Sequence, residues 1–385
     1  MTEKQRLNQD GLLVVKIGSS LLVDGGGQLR HEWMATLCRR LAGRSGGVVL
    51  VSSGAIALGR GALGLPGRPR SLAEAQAAAA IGQIHLAQAW AHAWAAQGRT
   101  AAQILLTLGD LEQRPRYLNA RATLETLIER GIVPVINEND TVATEEIRFG
   151  DNDRLAARVA QLIAARQLLL LSDVDGLYTA DPASDSQARR IERVEQITAE
   201  VRTLAGPTRA TGLGTGGMAS KLAAAEIAME AGVGVLLSSG QRDDPIGDLE
   251  AGGAATEFVP SARPKAARKL WLRGLQHPAG ELVLDAGALR AIRRGSSLLA
   301  VGVTALNGSF SRGDLVRLLG PEGVCGQGLC GYGSAEGTRI VGLDSERIAE
   351  VLGQASRGPM VHRDDLVLFG HAADAEGVMN TKEAS

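Results

Sequence analysis

The sequence predicts an α/β protein: a mainly parallel sheet sandwiched by helices, followed by a small β-rich module. Three observations carry this. Short runs of Val, Ile and Leu alternate with helix-periodic stretches through the first two-thirds of the chain, as in a parallel sheet covered on both faces. The apolar runs end in small or polar residues, and in such sheets ligands bind beyond the strands' carboxyl ends. After Pro260 the pattern changes to short alternating runs punctuated by glycine, the mark of a separate β-rich unit.

Composition narrows the class further. The 385 residues suffice for two or three domains, and 41 Lys plus Arg against 42 Asp plus Glu leave a net charge of -1. No global field therefore draws the chain to nucleic acid or to an anionic membrane. Cys38, Cys325 and Cys330 have no His or Cys at metal-ligand spacing, which fits a reducing compartment without disulfides or zinc. No apolar run approaches the roughly 20 residues that span a bilayer, so a cytoplasmic location is expected.

Taken in order, Leu12 to Ile17 is a buried-type strand leading into Gly18-Ser19-Ser20. Lys16 lies inside it, where a charge is costly unless it has a task; a lysine snorkelling from an edge strand is the bland alternative. A helix follows around Trp33 to Ala42, and the strand Val48 to Val51 runs into Ser52-Ser53-Gly54-Ala55, a strand, turn and helix start that can offer backbone N–H groups to an anion. Ser71 to Gln97 is Ala-rich but interrupted by Glu74, Gln76, Gln83, His85, Gln88 and His92; it reads as a close-packing helix, at a subunit contact. Ala101 to Leu106 is the next strand, and Asn119 to Arg130 the next helix.

The strand from Ile132 to Ile136 breaks into Asn137, Glu138, Asn139 and Asp140, which cannot all be buried without partners. Gly150 to Asp153 is a second polar knot ahead of the helical RLAARVAQLIA; by itself it is ordinary turn and capping chemistry. Gln167 to Leu171 is a further strand, ending in Ser172-Asp173. Ser172 to Pro182 lacks the glycine and glutamate positions of a calcium loop, leaving a nucleotide-edge loop or a plain turn. Thr211 to Lys221, TGLGTGGMASK, opens a helix from Leu222 to Ala231 and has the make-up of a phosphate cradle, with a mobile glycine loop as the alternative; it is not the Walker pattern.

Pro260 to Gly274, with five positive charges, reads as a linker. The runs ELVLD, SSLLAVGV, DLVRLLG, TRIVGL and DLVLF beyond it read as strands, and residues 372–385 as a disordered tail. From Trp271 to Ser385 there are 11 Lys or Arg against 13 Asp or Glu, so this unit lacks a basic footprint for RNA.

Two lysines, a glycine-rich helix start and several aspartates at strand ends are what in-line phosphoryl transfer needs: positioning and charge neutralisation. The six histidines fall outside these loops. An acceptor hydroxyl would need a base, whereas a carboxylate with a pKa of roughly 4.3 is already ionised at neutral pH. An acyl-phosphate-forming kinase fits best.

The ordered motifs KIGSS, VSSGAIALG, VPVINENDTVAT, FGDNDRLAA, LSDVDGLYTADP and GLGTGGMASK closely resemble the glutamate 5-kinases of the amino-acid kinase superfamily. RGSSLLAVGV, GSFSRGD and GPMVHRDDLVLF resemble the PUA domain joined to many of them. The resemblance runs from about Leu12 to Phe369. It implies an amino-acid kinase domain over residues 10–260, a linker over 261–275 and a PUA-like barrel domain over 276–371. It implies ATP-dependent phosphorylation of the γ-carboxylate of L-glutamate to L-glutamyl 5-phosphate, the first step of proline biosynthesis, with Mg2+ carried by ATP rather than by protein ligands. Lys16, Lys221 and Asp153 would be catalytic, Asp153 holding the two lysines. Ser53, Gly54, Asn137, Asp140 and Asn152 would bind glutamate. Lys16, Gly18, Ser172, Asp173, Thr215, Gly216, Gly217, Met218, Ala219, Ser220 and Lys221 would contact ATP. Ala219-Ser220 departs slightly from the Ser-Thr pair common there. The resemblance further implies feedback inhibition by proline at the loop Glu138 to Phe149, a homodimer or homotetramer, and glutamyl phosphate reductase as a partner. Two alternatives stay open: a related kinase of aspartate or N-acetylglutamate, and an RNA-binding regulatory protein acting through the PUA-like module, for which the basic stretch Arg263 to Arg273 is the support.

Overall fold

The computed structural model describes residues 10–142, 152–205 and 217–369 except 66, 68, 276, 354, 355 and 357, and residue 7 besides. The chain divides into two compact units, Met1–Pro264 and Lys265–Ser385.

The first unit is built on strands β1 (Leu13–Ile17), β2 (Val48–Ser52), β3 (Ala101–Leu106), β4 (Val133–Glu138), β5 (Gln167–Ser172), β6 (Leu177–Tyr178), β7 (Arg190–Ile191), β8 (Arg193–Val194), β9 (Gly234–Ser239) and β10 (Ala255–Phe258). Among the described residues eight of them form one sheet in the order β3-β4-β2-β1-β5-β9-β10-β8, with β6 and β7 pairing separately. The strands from β3 to β9 in that order run parallel, while β10 lies antiparallel to β9. The helices are α1 (Ser19–Leu22), α2 (His31–Ala42), α3 (Ala55–Gly59), α4 (Leu72–Ala95), α5 (Leu108–Glu112), α6 (Arg114–Glu129), α7 (Asn152–Leu162), α8 (Ala199–Thr203), α9 (Met218–Glu230) and α10 (Pro245–Glu250).

Strand periodicity sorts the central side chains into two cores. Leu13, Val15 and Ile17 pack with Trp33, Trp90 and Trp94 of α2 and α4. Val14, Val49, Val51, Leu168 and Leu170 pack on the opposite face with Leu155 and Val159 of α7 and Leu222 and Ala225 of α9. The same period of two puts Lys16 on the face of α7 and α9, and Asn137 with Val133 and Val135 on the face of α4. Because β1 lies between β2 and β5, Lys16 does not snorkel from a sheet edge.

The expected close-packing helix is α4. It meets α3 backbone to backbone: a Cβ at Gly82 would stand 1.8 Å from the carbonyl oxygen of Ala55, and one at Gly59 would stand 1.9 Å from that of Ala78. Only glycine at both positions permits this crossing.

In the second unit the segment read as a linker contains a helix, α11 (Pro264–Gly274). Its C-terminal end is held by Gln327, whose Nε2 donates to the carbonyls of Leu272 at 2.6 Å and Leu275 at 3.1 Å. Strands β11 (Gly280–Leu284), β12 (Val303–Gly308), β13 (Leu315–Gly320), β14 (Gly323–Cys330) and β15 (Val361–Leu368) form a sheet in the order β12-β11-β13-β14-β15. Helices α12 (Ala286–Arg293), α13 (Ser334–Ile340) and α14 (Ser345–Leu352) complete the unit.

Two strand readings change here. TRIVGL falls at the end of α13, where Ile340 is buried in the core: a short apolar run fits a helix end as well as a strand. SSLLAVGV contributes only the Leu298 bridge to Val361 and Val303 at the start of β12. The tail, residues 372–385, lies outside the described residues.

Candidate active site

The polar segments converge at the carboxyl ends of β1, β2, β4 and β5 with the starts of α7 and α9. Strand β4 runs two residues further than its apolar run, so Asn137 and Glu138 are buried strand residues. Helix α9 starts at Met218, four residues ahead of Leu222, which brings Lys221 into its first turn.

Asp153, in the first turn of α7, lies between two ammonium groups. Lys16 Nζ stands 2.7 Å from its Oδ1 and Lys221 Nζ 3.4 Å from its Oδ2. Ser220 Oγ donates to Oδ2 at 2.8 Å. The three charged residues are 6 %, 1 % and 5 % exposed for Lys16, Asp153 and Lys221. Burial by itself would raise the Asp153 carboxyl, but Lys16 and Lys221, with the hydrogen bonds from Lys16 and Ser220, outweigh it and hold the carboxyl well below the ordinary range. The group stays ionised and the cluster keeps one net positive charge, which suits an anion.

The neighbouring residue, Asn152, organises a second cluster. Its Nδ2 donates both hydrogens, to Ser53 Oγ at 2.9 Å and to Asn137 Oδ1 at 3.0 Å. Asn137 Oδ1 also accepts the backbone N–H of Glu138 at 2.9 Å, while Asn137 Nδ2 donates to Gln83 Oε1 on α4 at 2.7 Å. Asn152 Oδ1 is buried without a partner among the described residues. Ser53 follows β2, and Gly54 caps α3 with φ +114°, a conformation that favours glycine.

Asp140 is 8 % exposed and makes no hydrogen bond or ion pair among the described residues. Burial pushes its carboxyl up to about 6. At the end of β5, Ser172 Oγ donates to Asp173 Oδ1 at 2.8 Å, with Asp173 exposed. Gly18 precedes α1, and a Cβ there would lie 4.0 Å from Lys16 Nζ. Gly217 is the N-cap of α9, followed by Met218 and Ala219 in its first turn. Thr215 and Gly216, and the loop expected to sense proline from residue 143 onward, lie outside the described residues.

Two contributors have no clear signal in the sequence. Gln83 stands out there only as an interruption of an alanine-rich helix, and nothing in its spacing points to Asn137. Ser220 is expected with ATP, and its bond to Asp153 depends on a tertiary contact between α7 and α9.

The model of the Amino acid kinase family matches residues 11–237, and that of the PUA domain residues 280–352. Glutamate 5-kinase 1 of Rhizobium meliloti (strain 1021) is 52% identical over 360 residues, covering 92% of this chain and 91% of its own. Glutamate 5-kinase of Paramagnetospirillum magneticum is 52% identical over 363 residues, covering 93% and 98%, and that of Sphingopyxis alaskensis 52% over 362 residues, covering 93% and 97%.

Proposed function

The chain belongs to the amino acid kinase family, among its glutamate 5-kinases, and from that premise we propose how its residues share the transfer of a phosphoryl group from ATP to the γ-carboxylate of L-glutamate. A carboxylate oxygen of glutamate attacks the γ-phosphorus, the bond to the β,γ-bridging oxygen breaks, and L-glutamyl 5-phosphate and ADP leave. The attacking group is ionised at neutral pH, so no base is required.

The observation that carries this reading is the pair of adjacent residues at the head of α7. Asp153 holds Lys16 and Lys221, the two cations that offset charge on the transferring group, and Asn152 belongs to the amide cluster that receives the acceptor. Within that cluster Ser53 Oγ already accepts from Asn152, leaving its proton for a carboxylate. Asn152 Oδ1 is left to accept from an ammonium group, as is the Asp140 carboxylate. One donor and two acceptors match an amino acid. Gly54 lets the backbone come close to it.

ATP is assigned to Gly18, Ser172, Asp173 and the stretch Thr215 to Lys221, with Lys16 and Lys221 toward its phosphates. Magnesium enters on those phosphates, its ordinary manner of binding, and is assigned no protein ligand. The domains are assigned to residues 10–260 and 276–371. Inhibition by proline, assembly into dimers or tetramers, and delivery of the acyl phosphate to a reductase extend the reading. A cytoplasmic location is supported by free thiols at Cys38, Cys325 and Cys330.

The test is trapping with hydroxylamine: protein, ATP and magnesium are incubated with glutamate, aspartate or N-acetylglutamate, and the hydroxamate is measured. A glutamate-dependent signal suppressed by proline is the expected result. Signal with aspartate or N-acetylglutamate alone would keep the mechanism and overturn the substrate; none with any acceptor would overturn the kinase reading.

A further inference from the structure

We infer that Gln83 is a positioning residue for the acceptor site, acting on glutamate through Asn137 and Asn152 without touching it; this rests on the function proposed above. Gln83 Oε1 accepts from Asn137 Nδ2 at 2.7 Å. That bond agrees with the orientation that the backbone N–H of Glu138 already demands of Asn137, whose Oδ1 must accept. Asn137 Oδ1 in turn accepts from Asn152 Nδ2, whose second hydrogen goes to Ser53. Each amide in the series has one consistent orientation, and the result is a single buried acceptor, Asn152 Oδ1, and a single hydroxyl proton, that of Ser53, left for a ligand.

The reach of Gln83 is set by its neighbour. Gly82 lies against the backbone of Ala55 and Gly59 too closely for any Cβ, which fixes α4 relative to α3, the helix that begins just after Ser53 and Gly54. The helix crossing and the amide series therefore hold the same two parts of the site, the turn after β2 and the end of β4.

Gln83→Met keeps helix propensity and approximate volume but removes the acceptor oxygen. It should raise KM for glutamate on the order of fivefold, the effect of one hydrogen bond, with KM for ATP, kcat and the thermal midpoint close to those of the unaltered enzyme. Gln83→Glu retains an acceptor oxygen and should restore KM for glutamate. Gln83→Ala, smaller throughout, gives the same reading should Met not be accommodated. An unchanged KM for glutamate, an equal rise for ATP, or a Gln83→Glu enzyme as impaired as Gln83→Met would overturn the inference. An unaltered enzyme that forms no hydroxamate with glutamate exposes failure of the substrate reading by itself; if it does form one and all variants share its KM, only the role of Gln83 fails.

Discussion

Lys16, in the middle of the parallel sheet, reaches Asp153 at the head of α7 over 2.7 Å, and the other oxygen of that carboxylate faces Lys221. One buried anion thus holds two cations, and if these serve a phosphoryl group as proposed, the three substitutions should separate by kind. Lys16→Met and Lys221→Met each leave Asp153 with its other lysine and Ser220, so the fold should persist while kcat falls at least about a hundredfold. Asp153→Asn removes the buried negative charge that Lys16 and Lys221 share and should lose about 3 to 5 kcal/mol of stability besides its activity. Denaturant unfolding beside hydroxamate assays measures both; a Lys221→Met enzyme that keeps its turnover would remove that lysine from the mechanism.

Asp153 and Asp140, the buried aspartates among the candidate site residues, respond to pH in opposite senses. The Asp153 carboxyl is depressed, so its stabilising effect is present above its unfolded value and is lost only as pH falls through the still lower folded value. It contributes no transition near neutrality. Asp140 is raised to about 6, so ionising it works against the folded state as pH rises from the unfolded value of about 4 to about 6. Asp140→Asn should therefore stabilise the ligand-free protein at pH 7, by up to about 3 kcal/mol, and have little effect at pH 4. In the unaltered enzyme KM for glutamate should climb below about pH 6 as Asp140 is protonated, and Asp140→Asn should abolish that climb together with tight binding.

Much of this arrangement is legible in the sequence because buried parallel strands must be apolar, which makes Lys16 conspicuous and marks the polar residues at the strand ends. Asn137, Asp140, Asn152 and Asp153 stand out as polar groups in need of partners. Their pairing does not: a sequence does not say that α7 and α9 cross near β1, or that Asn137 faces α4. Strands extend one or two residues past their apolar runs where polar side chains continue the ladder, as in β4. In the second unit TRIVGL closes a helix at Ile340 and turns rather than extending, because so short an apolar run does not fix a period.

The glycine crossing yields a separate prediction. Gly82→Ala would gain about 1 kcal/mol in helix propensity. The new methyl, however, would meet a backbone oxygen at 1.8 Å rather than a flexible side chain, and overpacking of that severity costs about 3 kcal/mol or more. The clash should win: α4 must move away from α3, lowering the thermal midpoint and raising KM for glutamate. A midpoint equal to or above that of the unaltered protein would show that the two helices do not approach so closely.

The second unit offers a substitution outside the residues assigned to phosphoryl transfer. Gln327 is buried, and its amide serves the carbonyls of Leu272 and Leu275 at the end of α11. Gln327→Leu fills nearly the same volume but takes the side-chain donor from the Leu275 carbonyl and leaves that of Leu272 with the backbone N–H of Leu275, at a cost of about 1 to 3 kcal/mol. Hydrogen exchange should quicken within Lys265–Ser385, while kcat and both KM values remain as they were, because Lys16, Asp153, Lys221 and the amide cluster all belong to Met1–Pro264. A loss of turnover in step with the faster exchange would mean instead that the second unit takes part in assembling the active enzyme.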